Sequence, residues 1–266
     1  MRIAFIGGGN MGAAMLSAIL KKGLAGAGDI IISEPLEERR QQLGERYGVA
    51  VTDSNIKSIK GADVVILAVK PQTLESVMAD TGGHLKTGQL VISILAGKSL
   101  KTLTDGLKHQ ALVRAMPNTP AQIGRGITVW TATAAVTDEQ RRQSADILGA
   151  TGKQIFSSDE AMIDKATAVS GSGPAYVFLF AEALIEAAEE LGIPPATARE
   201  LVLSTLQGAT EFAITSDSPL AELRRMVTSP GGTTAAALQE LEEGGFNELV
   251  KQAVAAAYKR ARELGS

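Results

Sequence analysis

Residues 2–12 read RIAFIGGGNMG, so a short apolar run leads directly into Gly7, Gly9 and Gly12. This spacing permits a tight turn at the first glycine, close approach of a pyrophosphate at the second and close helix–strand packing at the third. Glu34 ends a second β-like run 22 residues after Gly12, where such folds place an acidic residue beside a ribose. The alternative is a glycine-rich turn without a ligand, but the strand–turn–helix context favours a dinucleotide site.

Short apolar runs alternate with helical patterns over about the first 155 residues. Near-continuous apolar runs are typical of strands that are buried on both faces of a parallel sheet. Their alternation with helices predicts an α/β fold with a doubly wound parallel sheet of the Rossmann type. The predicted strands are 2–6, 29–33, 64–69, 90–94 and 111–115, with further β-like pieces at 126–131 and 153–156, and the predicted helices are 10–22, 35–47, 72–79 and 99–107.

After about residue 160, Ala, Leu and Glu replace the β-branched runs, which predicts a second, all-helical domain. We place the domains at 1–158 and 159–266. The stretch 174–188 is apolar on nearly every face, so we expect it to be buried in a subunit interface. The predicted helices are 174–191, 195–215, 219–227, 233–243 and 245–264.

Composition excludes several classes of function. The 26 basic and 29 acidic residues are well mixed, for a net charge of −3, so no nucleic-acid partner is expected. The chain has no cysteine and only two histidines, which argues against a metal site. Glycines interrupt the N-terminal apolar run too early for a secretory signal, and no apolar run approaches the ~20 residues that span a bilayer. We therefore expect a cytoplasmic protein with no membrane partner.

Residues 228–234 read TSPGGTT just before an alanine-rich helical pattern. Ser229 suits a helix N-cap and Pro230 the first helical position. Without side chains at the two following glycines, a small anion reaches the unpaired N–H groups of the helix start, and two threonine hydroxyls lie beside it. The sequence therefore predicts a carboxylate site, although a capped helix with incidental glycines is the alternative.

The loops that follow the predicted strands end in glycine, proline or small polar residues. Lys70 suits cofactor phosphate or ribose, but an ordinary solvated lysine is equally compatible with the sequence. Asn118 suits the nicotinamide or the substrate, and simple turn chemistry explains it equally well. Ligands bind at the carboxyl ends of parallel strands, which is why these positions are candidates at all.

Five motifs occur in the order GGGNMG, AVKPQ, MPNTP, SGSGPAY and VTSPGGTT. Together they resemble the Δ1-pyrroline-5-carboxylate reductase family, which catalyses the last step of proline biosynthesis. The resemblance runs from residue 3 to about residue 260 and is most specific in the last two motifs. It implies a Rossmann domain, a helical dimerisation domain, and homodimers that assemble further, with the decamer as the larger assembly. It also implies NADPH as the usual reductant, with NADH accepted by some members.

The resemblance also implies site residues. Glu34 departs from the expected NADPH pattern, because a carboxylate there is suited to both ribose hydroxyls rather than to a 2′-phosphate, and the choice between NADPH and NADH stays open. The implied substrate-binding residues are Ser229, Gly231, Gly232, Thr233, Thr234 and Glu160, and the implied cofactor-binding residues are Gly7, Gly9, Asn10, Met11, Gly12, Ser33, Glu34, Asn55, Ala68, Val69, Lys70, Pro71, Ala96 and Asn118.

The expected reaction is hydride transfer to a cyclic imine that carries a carboxylate. Thr234 is the predicted catalytic residue, because its hydroxyl is expected to hydrogen-bond the ring nitrogen. Two alternatives stay open. A β-hydroxyacid dehydrogenase would use a helical lysine as acid, for which Lys165 is the candidate, and a non-catalytic dinucleotide sensor would need only the glycine loop.

Overall fold

The structure is a computed structural model that describes residues 1–264. It consists of two compact units. The first contains Met1–Ser172 and the C-terminal stretch that begins at Ala257, and the second contains Gly173–Ala256. The predicted fold class, a doubly wound α/β sheet followed by helices, is confirmed.

The first unit is built on one eight-stranded sheet. Its strands are β1 (Ile3–Ile6), β2 (Ile30–Ser33), β3 (Ala50–Thr52), β4 (Val64–Leu67), β5 (Leu90–Ser93), β6 (Leu112–Met116), β7 (Gly126–Ala132) and β8 (Gly152–Phe156). Their spatial order is β3-β2-β1-β4-β5-β6-β7-β8, and every neighbouring pair is parallel except β6 with β7. The order reverses beside β1, so the loops after β1 and β4 flank the crevice in which such sheets bind ligands.

Alternation along β1 shows why its residues are all apolar. Ile3 and Phe5 belong to one hydrophobic core, whereas Ala4 and Ile6 belong to another on the opposite face. Because successive side chains point to opposite faces, a strand covered on both sides must be apolar at every position.

Helices cover the sheet and form the second unit. The helices of the first unit are α1 (Asn10–Lys21), α2 (Glu37–Tyr47), α3 (Asn55–Ile59), α4 (Leu74–Thr81), α5 (Leu100–Leu107), α6 (Asp138–Gly149) and α7 (Ala161–Ala166), and the later ones are α8 (Gly173–Glu190), α9 (Pro195–Thr215), α10 (Leu220–Met226), α11 (Thr233–Glu243) and α12 (Phe246–Glu263).

Sequence patterns missed β3, α3, α6 and α7. Strand β3 has three residues at the sheet edge, of which Ala50 and Val51 are exposed and Thr52 is partly buried, so its apolar stretch at 49–51 is too short for a clear pattern. Helix α6 is mostly polar, and its buried apolar residues are Ile147 and Leu148, which is too narrow a stripe for a clear periodicity.

Helix α7 packs on the sheet. Ile163 and Ala166 form a small apolar cluster with Val129 of β7. The first compact unit therefore extends to Ser172, whereas the sequence-based boundary falls after residue 158.

Helix α8 leaves most of its apolar surface uncovered in the single chain. Ala181 is its buried residue, whereas Val177, Phe178 and Leu179 are 54%, 61% and 67% exposed. Exposed apolar surface of this extent marks an interaction site.

One stretch corrects the expectation that no segment has the length and composition to cross a membrane. The helical stretch Ala161–Glu190 satisfies both criteria, with a mean hydropathy of 1.4 over its best window, of which 11% is buried. Length and composition are weak evidence by themselves, since they do not distinguish a membrane from any other apolar covering.

A buried arginine ties α7 to β6. Arg114 is 3% exposed and donates through Nη1 to Glu160 Oε1 at 2.9 Å and through Nη2 to Asp164. The same Glu160 oxygen accepts from the backbone N–H of Leu100 at 2.7 Å, so β6, α5 and α7 meet at one carboxylate. Arg114 Nε has no hydrogen-bond partner among the described residues.

We expect Arg114→Met to lower stability strongly, because it leaves two partly buried carboxylates without their cation. Removing one partner of a buried ion pair costs about 3 kcal/mol, which corresponds to a fall in the apparent Tm of about 6–12 °C in a thermal melt. Lys101→Met is the control, since it breaks an exposed pair with Asp105 and should leave the melt unchanged. Equal small shifts in both variants would show that the buried cluster does not brace the fold.

Candidate functional site

The glycine loop after β1 is shaped by close backbone approach. Gly7 has φ +100°, and its N–H donates to the carbonyl of Ser33 at 2.8 Å. A Cβ atom at Gly7 would lie 2.6 Å from the Ala68 carbonyl oxygen, and one at Gly12 would lie 2.7 Å from the Gly7 carbonyl oxygen. Both glycines are therefore required by the turn and by the packing of α1 on β1 and β4.

Gly9 has a different surrounding. A Cβ atom there would find no heavy atom within 4 Å, so open space lies over this residue. Gly9 is also the N-cap of α1, and no side chain caps that helix. Exposed N–H groups beside open space are what a pyrophosphate needs, so the residues fit the dinucleotide that the sequence predicts.

The ends of β2 and β4 bring several predicted residues to this loop. Ser33 donates its hydroxyl to Asn55 Oδ1 at 2.7 Å, which joins β2 to the start of α3. Ala68 and Val69 lie directly against Gly7. Lys70 is exposed and forms no ion pair within residues 1–264, which leaves its ammonium group available for phosphate or ribose.

The other predicted cofactor residues lie at or beyond this edge. Asn118 uses its carboxamide oxygen to accept from the Ile127 N–H at 2.9 Å, so it performs the turn chemistry that the sequence left as an alternative. Pro71 begins a 3-10 turn, Ala96 follows β5, and Asn10 and Met11 begin α1. Their roles toward a cofactor stay predictions.

The carboxylate of Glu34 is already occupied. The residue is 8% exposed, its Oε2 accepts from the N–H of Gly8 at 2.9 Å, and its Oε1 accepts from the N–H of Leu36 at 3.2 Å. Glu34 thus holds the glycine loop and its own turn, an arrangement that residue spacing does not reveal.

The start of α11 corrects the predicted helix cap. The helix begins at Thr233, as the predicted range 233–243 has it, but its N-cap is Gly232, and Ser229 and Pro230 lie before the helix instead of at its N-cap and first position. Gly231 has φ +69°, and the Gly232 N–H donates to the Ser229 carbonyl at 3.0 Å, so the serine closes a turn before the helix. The left-handed glycine makes this turn possible, because most side chains disfavour that conformation.

With Gly232 as its N-cap, the start of α11 has the features of an anion site. No side chain caps α11, and the hydroxyls of Ser229, Thr233 and Thr234 make no hydrogen bond to another residue in the described part of the chain. A Cβ at Gly232 would lie 2.3 Å from Ser229 Oγ, so a side chain there would displace the serine hydroxyl. The turn presents N–H donors and hydroxyls together, as a carboxylate requires.

Glu160 lies in the first unit, in the ionic cluster with Arg114 and the Leu100 N–H. One of its oxygens takes both bonds, and its side chain is 35% exposed. Its predicted contact with the substrate stays a prediction.

Sequence reasoning missed three arginines. Arg114 stands inside the apolar run ALVRA, where a charge in a buried strand is itself a signal of a paired site. Arg39 and Arg40 lie in α2, where they bond the carbonyls of Gly8 and of Glu34 and Pro35. Nothing in their spacing distinguishes them from the other charged residues of that helix.

Comparison with known proteins gives the family. Residues 160–264 match the family model described as pyrroline-5-carboxylate reductase dimerisation, and residues 2–97 match one described as NADP oxidoreductase, coenzyme F420-dependent. The chain is 43% identical over 264 residues to the pyrroline-5-carboxylate reductase of Pseudomonas aeruginosa, covering 99% of this chain and 96% of that protein. The chain belongs to the pyrroline-5-carboxylate reductase family.

Solved structures agree with this membership. The pyrroline-5-carboxylate reductase of Coxiella burnetii is 38% identical with a TM-score of 0.91, covering 100% of this chain and 98% of that one. The Plasmodium falciparum pyrroline carboxylate reductase, solved with NADP bound, is 31% identical with a TM-score of 0.91 over the same shares. The family resemblance drawn from five short motifs is thus confirmed over the whole chain.

Two glycine variants test the loop of this pyrroline-5-carboxylate reductase family member. Gly7→Ala should destabilise the fold by about 1–3 kcal/mol, because φ +100° and the Ala68 carbonyl both exclude a side chain. Gly9→Ala should keep the thermal melt, since its φ of −66° and its open surroundings accept a methyl group.

Calorimetry should then show about tenfold weaker NADPH binding in Gly9→Ala, because the methyl group occupies the space that a pyrophosphate needs. Unchanged NADPH binding in this folded variant would place the cofactor elsewhere.

Proposed function

We propose that the chain reduces the cyclic imine pyrroline-5-carboxylate to proline with NADPH, as the final step of proline biosynthesis. The observation that carries the substrate assignment is the uncapped start of α11, where glycines and free hydroxyls lie together. The enzyme class and the NADP cofactor predicted from the sequence agree with the family to which the chain belongs.

The turn before α11 binds the substrate carboxylate. The first N–H groups of a helix have no partner within the helix and carry a partial positive charge. Gly231 and Gly232 leave those groups accessible, and the hydroxyls of Ser229 and Thr233 add further donors. This arrangement holds one carboxylate and fixes the orientation of the attached ring.

The Thr234 hydroxyl hydrogen-bonds the ring nitrogen. A protonated imine is the more reactive electrophile, and pyrroline carboxylate is able to arrive already protonated, so the chain needs no histidine acid. Thr234 is half-buried, which limits competition from water, whereas Thr233 is exposed. The hydroxyl therefore positions and polarises the imine as the nitrogen becomes an amine.

The loops at the carboxyl ends of β1, β2 and β4 would hold the cofactor. Gly9 and the start of α1 suit the pyrophosphate, and Lys70 suits a phosphate or ribose. NADPH, or NADH as the less usual donor, supplies the hydride when it is bound.

The alternatives from the sequence gain no support. Lys165, the candidate acid of a hydroxyacid dehydrogenase, is half-exposed and lies 3.6 Å from Asp159, which is the setting of a surface ion pair. A dinucleotide sensor would give no reason for the α11 turn. An absorbance assay of NADPH and NADH oxidation separates the three functions. It is run with pyrroline carboxylate, with the carbonyl compound that a hydroxyacid dehydrogenase would reduce, and with no substrate.

Thr234→Val tests the catalytic assignment. Valine keeps the β-branched shape and removes the hydroxyl, so kcat should fall by about ten- to a hundredfold, equivalent to roughly 1–3 kcal/mol, while NADPH binding stays intact. Steady-state kinetics and nucleotide titration measure the two effects separately.

Thr233→Val is the matched control and should lose less activity, because its backbone N–H is the expected contribution. A crippled Thr233→Val beside an active Thr234→Val would show that the wrong threonine was assigned. Full activity in both variants would show that neither hydroxyl takes part in catalysis and that the turn serves only to bind the carboxylate.

The chain self-associates through its helical domain, as the family model for residues 160–264 describes. We propose a homodimer that buries the exposed apolar surface of α8, with assembly to a decamer as a further step, in the cytoplasm. Phe178 and Leu184 are 61% and 38% exposed in the single chain, which is the surface that a second copy would cover.

Phe178→Glu and Leu184→Glu should therefore give monomers or aggregates with little activity. Both residues are exposed, so the substitutions act on association rather than on the core of one chain. Glu189→Gln, on the same helix and also exposed, is the control and should stay oligomeric in sedimentation velocity. A monodisperse, fully active monomer from either glutamate variant would refute the α8 interface.

A further inference from the structure

We infer that Arg39, and not Glu34, sets the choice between NADPH and NADH, by presenting its guanidinium group to the 2′-phosphate of the cofactor. This inference rests on the proposed function, because it concerns the cofactor of that reaction. It reverses the role that the sequence gives to Glu34 at the end of β2.

Both polar backbone groups of Gly8 are bound to side chains. Its N–H donates to Glu34 Oε2 at 2.9 Å, and its carbonyl accepts from Arg39 Nε at 2.9 Å. Glu34 and Arg39 therefore hold Gly8 from β2 and from α2, and we call this arrangement the Gly8 clamp. The clamp fixes the second residue of the glycine loop between Gly7 and Gly9.

Within the clamp, the carboxylate of Glu34 has its two oxygens on backbone N–H groups, those of Gly8 and Leu36. The side chain is buried at 8% exposure, so it would have to break both bonds to accept from ribose hydroxyls. The role of a buried carboxylate with such partners is to position backbone, and releasing it carries a desolvation cost.

Arg39 differs from its neighbour in what it leaves free. Its Nε is bound to Gly8, its Nη1 makes a long 3.4 Å bond to Gln42, and its Nη2 has no partner among residues 1–264. Arg40 donates Nη1 to the carbonyls of both Glu34 and Pro35, so it closes the turn between β2 and α2. Arg39 is thus anchored on the glycine loop through Nε, while its Nη2 donors stay available for a ligand.

The acidic residues nearby do not cancel this group. Glu37 and Glu38 lie in the first turn of α2 and are exposed, and Glu38 accepts from Gln42 at 3.4 Å. Exposed charges are screened by solvent, whereas a half-buried guanidinium anchored through Nε keeps a fixed position. Arginine also matches phosphate geometry through its paired N–H groups.

Calorimetric titration of the full-length chain with 2′,5′-ADP and 5′-AMP tests the inference without the imine substrate. Arg39→Gln should weaken 2′,5′-ADP binding about ten- to a hundredfold more than it weakens 5′-AMP binding, because the loss of the bond to Gly8 affects both nucleotides whereas the loss of a charge-assisted bond to the 2′-phosphate affects only one. Arg39→Lys, which keeps the charge, should recover part of the loss. Arg40→Gln is the matched control and should weaken both nucleotides alike.

Equal weakening of both nucleotides in Arg39→Gln would overturn the inference, since Arg39 would then only hold the loop. Selective loss of 2′,5′-ADP in Arg40→Gln instead would assign the phosphate to the other arginine and overturn it too. These titrations need no turnover, so a failure of imine reduction in the enzyme assay would leave their outcome readable.

Glu34→Ser separates the two views of the acid. If the Gly8 clamp is correct, this variant loses an acceptor for the loop and lowers kcat/KM for NADPH and NADH by similar factors. A rise in the NADPH-to-NADH ratio of tenfold or more would show that Glu34 repels the phosphate and would overturn the inference.

Discussion

The close approach of Gly7 and Gly12 to Ala68 is the constraint on which the cofactor end of the sheet depends. Side chains at either glycine would meet backbone carbonyl oxygens at under 3 Å. Their absence lets α1 begin directly over the ends of β1 and β4, and open space lies beside Gly9, the N-cap of that helix. The cofactor site is thus a consequence of how closely one helix packs on two strands.

The turn before α11 resembles the glycine loop in one respect, because a glycine is the N-cap of the helix and no side chain caps it. Gly231 takes a left-handed conformation and Gly232 becomes the N-cap, so α11 starts without a side-chain cap. A serine cap would stabilise the helix but would satisfy the N–H groups that a carboxylate needs. The glycine turn leaves them unpaired, and the adjacent threonine hydroxyls supply the donor or acceptor for a second polar atom of the substrate.

Apolar surface that a single chain leaves exposed is the third feature of the molecule. Helix α8 buries only Ala181 among its own residues, yet its sequence is apolar on nearly every side. The sequence already indicated that such a helix must be covered, and the exposed fractions identify its phenylalanine and leucine side chains as the part to be covered. The same composition satisfies the criteria for a membrane span, which shows that hydropathy alone does not distinguish a subunit interface from a bilayer.

Residues that are close together in the chain are enough to predict the alternation of strands and helices, the glycine loop, the glycine turn before α11 and the family. Helices α9 and α11 have the predicted bounds, since proline and glycine mark their ends. Which polar groups already have hydrogen-bond partners is visible only in the folded chain. The Glu34 carboxylate accepts a hydrogen bond from Gly8, 26 positions away. One oxygen of Glu160 accepts hydrogen bonds from both Leu100 and Arg114. Residues so distant in sequence come into contact only when the sheet is assembled, so their hydrogen bonds are not predictable from residue spacing along the chain.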